Sequence, residues 1–269
     1  MIIDFHAHIF PSKIAEKTIQ ALSSSASIEP HSNGALDGLI DSMNQNGIDI
    51  SINLPVLTRS TQLDSVFAFA RSLNEENATQ GRVISFCGIH PDIDDYEKRL
   101  TEIKASGFLG IKIHPDYQGT FFDDIRYVRI LEKAKELDLI TVTHAGLDGA
   151  FVGEEIKCTP KRALNLLDKI GGYEKLVFAH LGGNELFDDV YCSLAGENVY
   201  FDTSYVLPFL KPKEFAKMVE KHGDGKILFA TDSPWQNQGK MVNIIKSYNL
   251  GKATEDKIFF ENAKKLLNI

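Results

Sequence analysis

An α/β fold, a parallel (β/α)8 barrel, is what this 269-residue sequence predicts. Three observations carry the expectation. Short β-branched apolar runs alternate with longer amphipathic stretches, which is the pattern of repeated βα units. The runs number eight, as many as a closed barrel requires. Histidines and an aspartate recur at the same end of these runs, and barrel folds hold their reacting groups at the C-terminal ends of the strands.

The predicted strands are Ile2–Phe5, Asp49–Leu54, Val83–Gly88, Gly110–Ile113, Ile140–Thr143, Leu176–Ala179, Val199–Asp202 and Ile227–Ala230. Between them, apolar residues at helical spacing predict helices over Leu63–Thr79, Tyr96–Ala105, Arg126–Leu137, Pro160–Ile170 and Lys211–Lys221, with Glu255–Leu267 closing the outer ring. Pro212, one residue into the fifth of these, suits a first helical position. The stretch Pro11–Gly34, with its run Ser23-Ser24-Ser25-Ala26-Ser27, is the least regular and is expected to be a loop over the barrel mouth.

Composition narrows the classes. With 43% hydrophobic and 25% charged residues, the chain can bury a substantial core, and no linker or low-complexity tract divides it. One domain over residues 1–269 is expected. A net charge of −8 argues against nucleic acid or an anionic membrane as partner, since neither favours an acidic surface. Cys87, Cys158 and Cys192 are far apart and odd in number, so a disulfide framework is not expected and a reducing cytoplasm is. Asp4, His6 and His8 interrupt the opening apolar run, so it does not read as a signal peptide.

The chemistry lies at the strand ends. Alternate residues of a strand share a face, so His6 and His8 can reach one point, and two neutral imidazoles there make half of a site for a first-row metal. Further histidines follow other strands: His90 in Gly88-Ile89-His90-Pro91, His114 in Lys112-Ile113-His114-Pro115, His144 in Thr143-His144-Ala145-Gly146 and His180 in Ala179-His180-Leu181-Gly182-Gly183. The eighth strand ends in Thr231-Asp232-Ser233-Pro234. Any one of these histidines suits a core or loop role, but six of the eight histidines at one end of a barrel form a set. No second pair has zinc-finger or HExxH spacing, so ligands must come from distant strands.

The opening DFHAH, the later THAG and AHLGG, and the closing TDSP resemble the amidohydrolase superfamily, and within it the amidohydrolase-related branch that includes aminocarboxymuconate-semialdehyde decarboxylase. The resemblance runs from the first strand to the last. It implies a TIM (β/α)8 barrel in which His6, His8, His144 and Asp232 bind one divalent metal, most often zinc. It also implies that His180 is the catalytic histidine facing an activated water, with Asp232 holding that water and moving its proton.

Lys112 is open to three readings. A substrate-binding lysine is preferred; a carbamylated lysine bridging to a second metal is the alternative that binuclear members suggest; a salt bridge to Asp4 would be structural. His114 and Trp235 are expected to line the substrate pocket, and His90 the mouth. Asp202 and Tyr205 are expected to make loop hydrogen bonds or touch substrate, while His31 and His222 are read as surface residues. Arg59, after the second strand, or Lys112 would meet a substrate carboxylate.

The expected activity is metal-dependent hydrolysis of a small amide, ester or lactone. The alternative is nonoxidative decarboxylation of an unsaturated or aromatic carboxylate at the same centre. A barrel that binds metal or ligand without turnover is a third reading, and the intact ligand set speaks against it. A metal-dependent deoxyribonuclease of related type is disfavoured by Lys112, where that family carries a glutamate, and by the acidic surface. Barrels of this kind commonly pair as homodimers, although no segment stands out as an interface.

Overall fold

A computed structural model describes residues 1–75 and 80–269. Its strands are β1 (Ile3–Ala7), β2 (Ile50–Asn53), β3 (Val83–Ser85), β4 (Cys87–Gly88), β5 (Gly110–Ile113), β6 (Ile140–Thr143), β7 (Leu176–Phe178), β8 (Tyr200–Asp202) and β9 (Ile227–Leu228). All pair in parallel, in the orders β1-β2-β3 and β4-β5-β6-β7-β8-β9. The barrel closes where Phe5 N donates to Phe229 O at 2.9 Å and Ala7 pairs in parallel with Ser233. The fold is a (β/α)8 barrel.

The predicted third strand is two short ones, β3 and β4, broken at Phe86. Ser85 Oγ donates to the Phe86 carbonyl at 2.9 Å and takes it from the ladder, while Phe86 N still reaches Asn53 O at 2.9 Å. The Phe86 ring turns into the barrel and meets Phe5 edge-on, with centroids 6.1 Å apart. Gly110 is required beside it: a Cβ there would lie 2.5 Å from the Phe86 ring and from Ile140 O.

The outer ring comprises α1 (Ser12–Ala26), α2 (Leu36–Asn46), α3 (Leu63–Glu75), α4 (Tyr96–Ala105), α5 (Ile125–Glu136), α6 (Pro160–Lys169), the short α7 (Phe187–Asp189), α8 (Pro212–His222), α9 (Gln238–Ser247), α10 (Lys252–Asp256) and α11 (Asn262–Leu267). The expected extension of α3 to Thr79 lies outside the described residues. Pro212 does occupy the start of α8. The stretch expected to be an irregular loop contains the 15-residue helix α1. Ala15 and Ile19, four residues apart, bury one stripe of it, and Ser24 Oγ bonds back to Gln20 O at 2.8 Å, so the serine run continues the helix. It ends at Ser27 in the left-handed region, φ 53°. A π-helical turn, Lys257–Glu261, joins α10 to α11 where one continuous amphipathic stretch was expected.

One apolar layer lies between strands and helices and includes Ile111, Ile113, Phe178, Phe201 and Phe229; a second fills the barrel with Ile3, Phe5, Ile52, Leu54, Phe86, Val142, Val177 and Leu228. These side chains are buried almost completely, each contributing about 1.5–3 kcal/mol. Above this filling, at the C-terminal ends of the strands, the barrel interior turns polar. No helix among the described residues is long and apolar enough to cross a membrane.

Candidate metal centre

The register of β1 shifts between Asp4 and Ala7, and this irregularity sets the site. Below it Phe5 faces the barrel, where it meets Phe86; past it His6, the next residue, faces inward too. Asp4 points outward, accepting from Thr231 N (2.9 Å), Thr231 Oγ1 (2.6 Å) and Gln238 Nε2 (2.7 Å). The salt bridge between Lys112 and Asp4 considered from the sequence is therefore absent: the two side chains lie on opposite faces of the barrel wall. Burial pushes the Asp4 carboxyl up to about 6 against the pull of those hydrogen bonds.

His6, His8 and Asp232 converge. His6 Nδ1 meets Asp202 Oδ2 at 2.8 Å, and His8 Nδ1 meets the Leu54 carbonyl at 2.8 Å. Both partners are acceptors, so each ring carries its proton on Nδ1 and offers the lone pair of Nε2. The two Nε2 atoms are 3.1 Å apart, with Asp232 Oδ1 3.5 Å from one and 3.1 Å from the other. Three lone-pair donors thus surround one point with no proton to share among them. A tetrahedral site with bonds of about 2.0–2.1 Å has edges of about 3.3 Å, so the donor set fits a divalent ion.

Asp202 holds this arrangement from beneath. Its Oδ1 accepts from His180 N (3.0 Å), Ser204 N (3.0 Å) and Ser204 Oγ (2.5 Å), while Oδ2 holds His6. Burial works against the carboxylate, yet its partnership with His6 and the Ser204 hydroxyl keep it well below the usual carboxylate range. Asp232 is likewise opposed by burial and held low by His8 and His6. Burial and the nearby Lys112 charge lower His6 to about 3, so it is a neutral donor at physiological pH.

His144 stands next to this trio rather than within it. Its Nδ1 lies 2.9 Å from His180 Nε2, and the His180 ring is 5.6 Å from that of His6. His144 stacks on His114, with centroids 4.1 Å apart and planes at 11°. His114, His144 and Asp148 form a second group of possible ligands, in which His114 Nε2 is 3.4 Å from Asp148 Oδ2. His180 Nδ1 faces the Ser204 carbonyl at 3.1 Å and its hydroxyl at 3.0 Å.

Lys112 is buried in the barrel, with Nζ 3.3 Å from His6 Nε2. Burial pushes its ammonium down to about 8, against the attraction of Asp202, Asp232 and Asp148. Trp235 is half-buried in the turn after Asp232, its backbone N–H donating to Asp232 O at 2.8 Å. His90 is buried at the mouth, where its Nδ1 accepts from Asp92 N at 3.1 Å; Arg59 is exposed. His31 is exposed as expected, but His222 is not: it stacks flat on Phe201, centroids 3.8 Å apart, and is buried. The aromatic face of the strand that ends in Asp202 accounts for that correction.

Several participants carried no sequence signal. Asp116, Asp148 and Ser204 are loop residues with no spacing pattern. Gln118 fixes the exit of β5, donating to Leu57 O (2.9 Å) and Ile89 O (2.6 Å) while its Oε1 accepts from His114 N (3.1 Å) and Tyr127 Oη (2.6 Å). Aromatic pairs Tyr117–Phe151 and Tyr205–Phe209 lie on loops after two of the strands. His180, Tyr205 and Asp232 all adopt positive φ, at 58°, 66° and 68°. Non-glycine residues in that region cost about 1–3 kcal/mol each, a strain that clusters at functional sites.

Solved structures share this fold. A dihydroxybenzoic acid decarboxylase from Polaromonas sp. JS666, with bound manganese and 2-nitroresorcinol, superposes with a TM-score of 0.70 at 18% identity, over 99% of this chain and 96% of that one. The 5-carboxyvanillate decarboxylase LigW from Sphingomonas paucimobilis gives 0.69 at 16%, over 100% and 99%. A probable 2-pyrone-4,6-dicarboxylic acid hydrolase from Acinetobacter baumannii gives 0.69 at 15%, over 100% and 99%. No curated protein sequence matches the chain. The family model described as amidohydrolase matches residues 3–269, and the chain belongs to that metal-dependent enzyme family.

Proposed function

We propose that the protein is a metal-dependent hydrolase that opens a small-molecule amide, ester or lactone at the centre formed by His6, His8, His144 and Asp232. The observation that carries this reading is the convergence of His6 Nε2, His8 Nε2 and Asp232 Oδ1, with both Nδ1 protons committed to Asp202 and Leu54. These residues would hold one divalent ion per chain, zinc in our reading, which would lower the pKa of a water toward neutrality and polarise a carbonyl oxygen.

The chain's own groups supply the rest. Asp232 turns Oδ1 to the imidazoles, which leaves Oδ2 to take the proton of the attacking water and return it to the leaving group. His180, braced by Ser204 and with Nε2 2.9 Å from His144 Nδ1, orients the water or stabilises charge on the substrate oxygen. Lys112 offers a buried positive charge for a substrate carboxylate, and His114 and Trp235 complete the pocket wall.

A second reading, nonoxidative decarboxylation of an unsaturated or aromatic carboxylate, is supported by that same buried Lys112 cation and by the two decarboxylases among the structural neighbours. The net charge of −8 and the free cysteines Cys87, Cys158 and Cys192 support a cytoplasmic enzyme acting without nucleic acid or a membrane surface.

The deciding experiment supplies zinc- or manganese-loaded protein with amides and lactones, and in parallel with aromatic and unsaturated carboxylates, while recording released carbon dioxide. Acid release from the first panel without carbon dioxide, abolished by chelator and restored by metal, is expected. Carbon dioxide from the second panel alone assigns the lyase. Metal-loaded protein inert toward both panels contradicts both readings.

A further inference from the structure

The carboxylate of Asp4 stands in for a main-chain acceptor beside the centre. Phe5 N donates to Phe229 O at 2.9 Å. An unbroken parallel ladder would then give the Phe5 carbonyl to Thr231 N. Thr231 N instead donates to Asp4 Oδ1 at 2.9 Å, and His6 N reaches that same oxygen at 3.3 Å. Backbone pairing resumes one residue on, with Asp232 N donating to His6 O at 2.8 Å and His8 N to Ser233 O at 2.6 Å. The Asp4 side chain thus bridges the kink at which β1 turns Phe5 and His6 to the same face.

That carboxylate is itself held on the outer side of the barrel wall. Its Oδ2 accepts from Thr231 Oγ1 at 2.6 Å and from Gln238 Nε2 at 2.7 Å. Gln238 presents its amide nitrogen because its Oε1 accepts from Ser42 Oγ at 2.8 Å. Asp4, Thr231 and Gln238 are fully buried, so water cannot replace these bonds without opening the wall. Every donor is an amide or a hydroxyl, and the pattern is therefore independent of any imidazole proton.

Two candidate ligands start at this carboxylate. Asp4 holds the amide of His6, and it holds both the amide and the hydroxyl of Thr231, the residue before Asp232. Asp232 adopts φ 68°, a costly conformation for a residue with a side chain, so it depends on firm anchors on either side. We propose that Asp4 is a positioning residue for the metal centre, its Oδ1 fixing His6 and Asp232 relative to one another from the outer face of the wall. That role presupposes the reading of His6 and Asp232 as ligands of one ion. The competing role is closure of the barrel in general. Backbone bonds from Phe5, His8 and Asp232 also supply closure, so loss of the Asp4 side chain should loosen the centre more than the fold.

The discriminating variants of the full-length protein are Asp4→Ala, which removes the acceptor, and Asp4→Asn, which retains Oδ1. Asp4→Ser replaces the first if the alanine protein does not fold: its hydroxyl can serve His6 N locally but is one bond too short for Thr231 N. Hydrogen exchange of the Thr231 amide is read on metal-free protein, and cobalt(II) affinity and visible absorption on the same samples. The expected result in Asp4→Ala or Asp4→Ser is faster exchange at Thr231, cobalt binding weakened about 10–100-fold and altered absorption bands. Asp4→Asn should restore protection, affinity and bands. A Thr231 amide that exchanges as fast in the wild type as in Asp4→Ala or Asp4→Ser overturns the bridge itself. Variants that lose protection at Thr231 yet bind cobalt with wild-type affinity and absorption overturn the positioning role. Asp4→Asn weakened as far as Asp4→Ala overturns the assignment to Oδ1. Wild-type protein with a protected Thr231 amide but no cobalt binding overturns the reading of the centre, and the positioning role with it.

Discussion

His222 ties stability to pH in a way that can be worked from its surroundings. Burial, aided by the Lys226 charge and opposed by the hydrogen bond to Val199 O, lowers its pKa from 6.5 to about 4. The neutral ring is built into the structure: Nδ1 accepts from Gly196 N at 3.2 Å, Nε2 donates to Val199 O at 3.1 Å, and the ring lies at 7° to Phe201. In the unfolded chain His222 binds a proton near pH 6.5, whereas in the fold it resists until about pH 4. Between those values the unfolded state holds more protons, so this contribution is fully present above about pH 6.5 and is lost as pH falls through the window. At about 1.4 kcal/mol per pH unit, the loss reaches about 3 kcal/mol. His222→Gln retains an amide donor and acceptor but cannot titrate. The stability gap between wild type and His222→Gln, measured by urea unfolding, should shrink by about 2–3 kcal/mol from about pH 7.5 to about pH 4.5, other titrating groups being common to both proteins. A gap that stays constant or widens on acidification would show that His222 is not held neutral by the fold.

Asp202→Asn replaces the oxygen that fixes the His6 tautomer; metal affinity should fall about 10–100-fold in chelator competition, and an unchanged affinity would show that His6 needs no such anchor. His180→Ala should retain its metal while kcat falls by about 10²–10⁴-fold; loss of the metal would make His180 a ligand instead. Gly146→Ala should destabilise the fold by at least about 2 kcal/mol, because Gly146 has φ 84° and a Cβ would lie 2.2 Å from Asn184 N. A melting temperature within about 1 °C of wild type would contradict that, since such a destabilisation moves it several degrees.

Much of the barrel could be read from local chemistry, because its strands are short β-branched runs and α8 begins at Pro212. The His6-Ala7-His8 spacing likewise announces a shared target. What the residues could not announce depends on closure. Asp202 reaches His6 across 196 positions, and its hydrogen-bonding role appears only when β8 comes opposite β1. The register shift in β1 puts Phe5 and His6 on the same side and sends Asp4 outward, which simple alternation does not predict. His222 reads as a polar helix end until the flat face of Phe201 is in place. Ser24 reads as loop until its hydroxyl finds Gln20 O one turn back. Asp116 carries no spacing signal; it comes to face His144 only in the fold, with one carboxylate oxygen held by Lys157 N.

The lone pairs converging from His6, His8 and Asp232 are proposed to hold a divalent ion. Metal content per chain, determined on protein purified without chelator and again after stripping and titration with zinc, tests it most directly. Close to one ion per chain is expected, lost in the His6→Ala and His8→Ala proteins; about two ions with dependence on bicarbonate would point instead to carbamylated Lys112. Protein without metal that takes up none on titration would show that these lone pairs hold no ion.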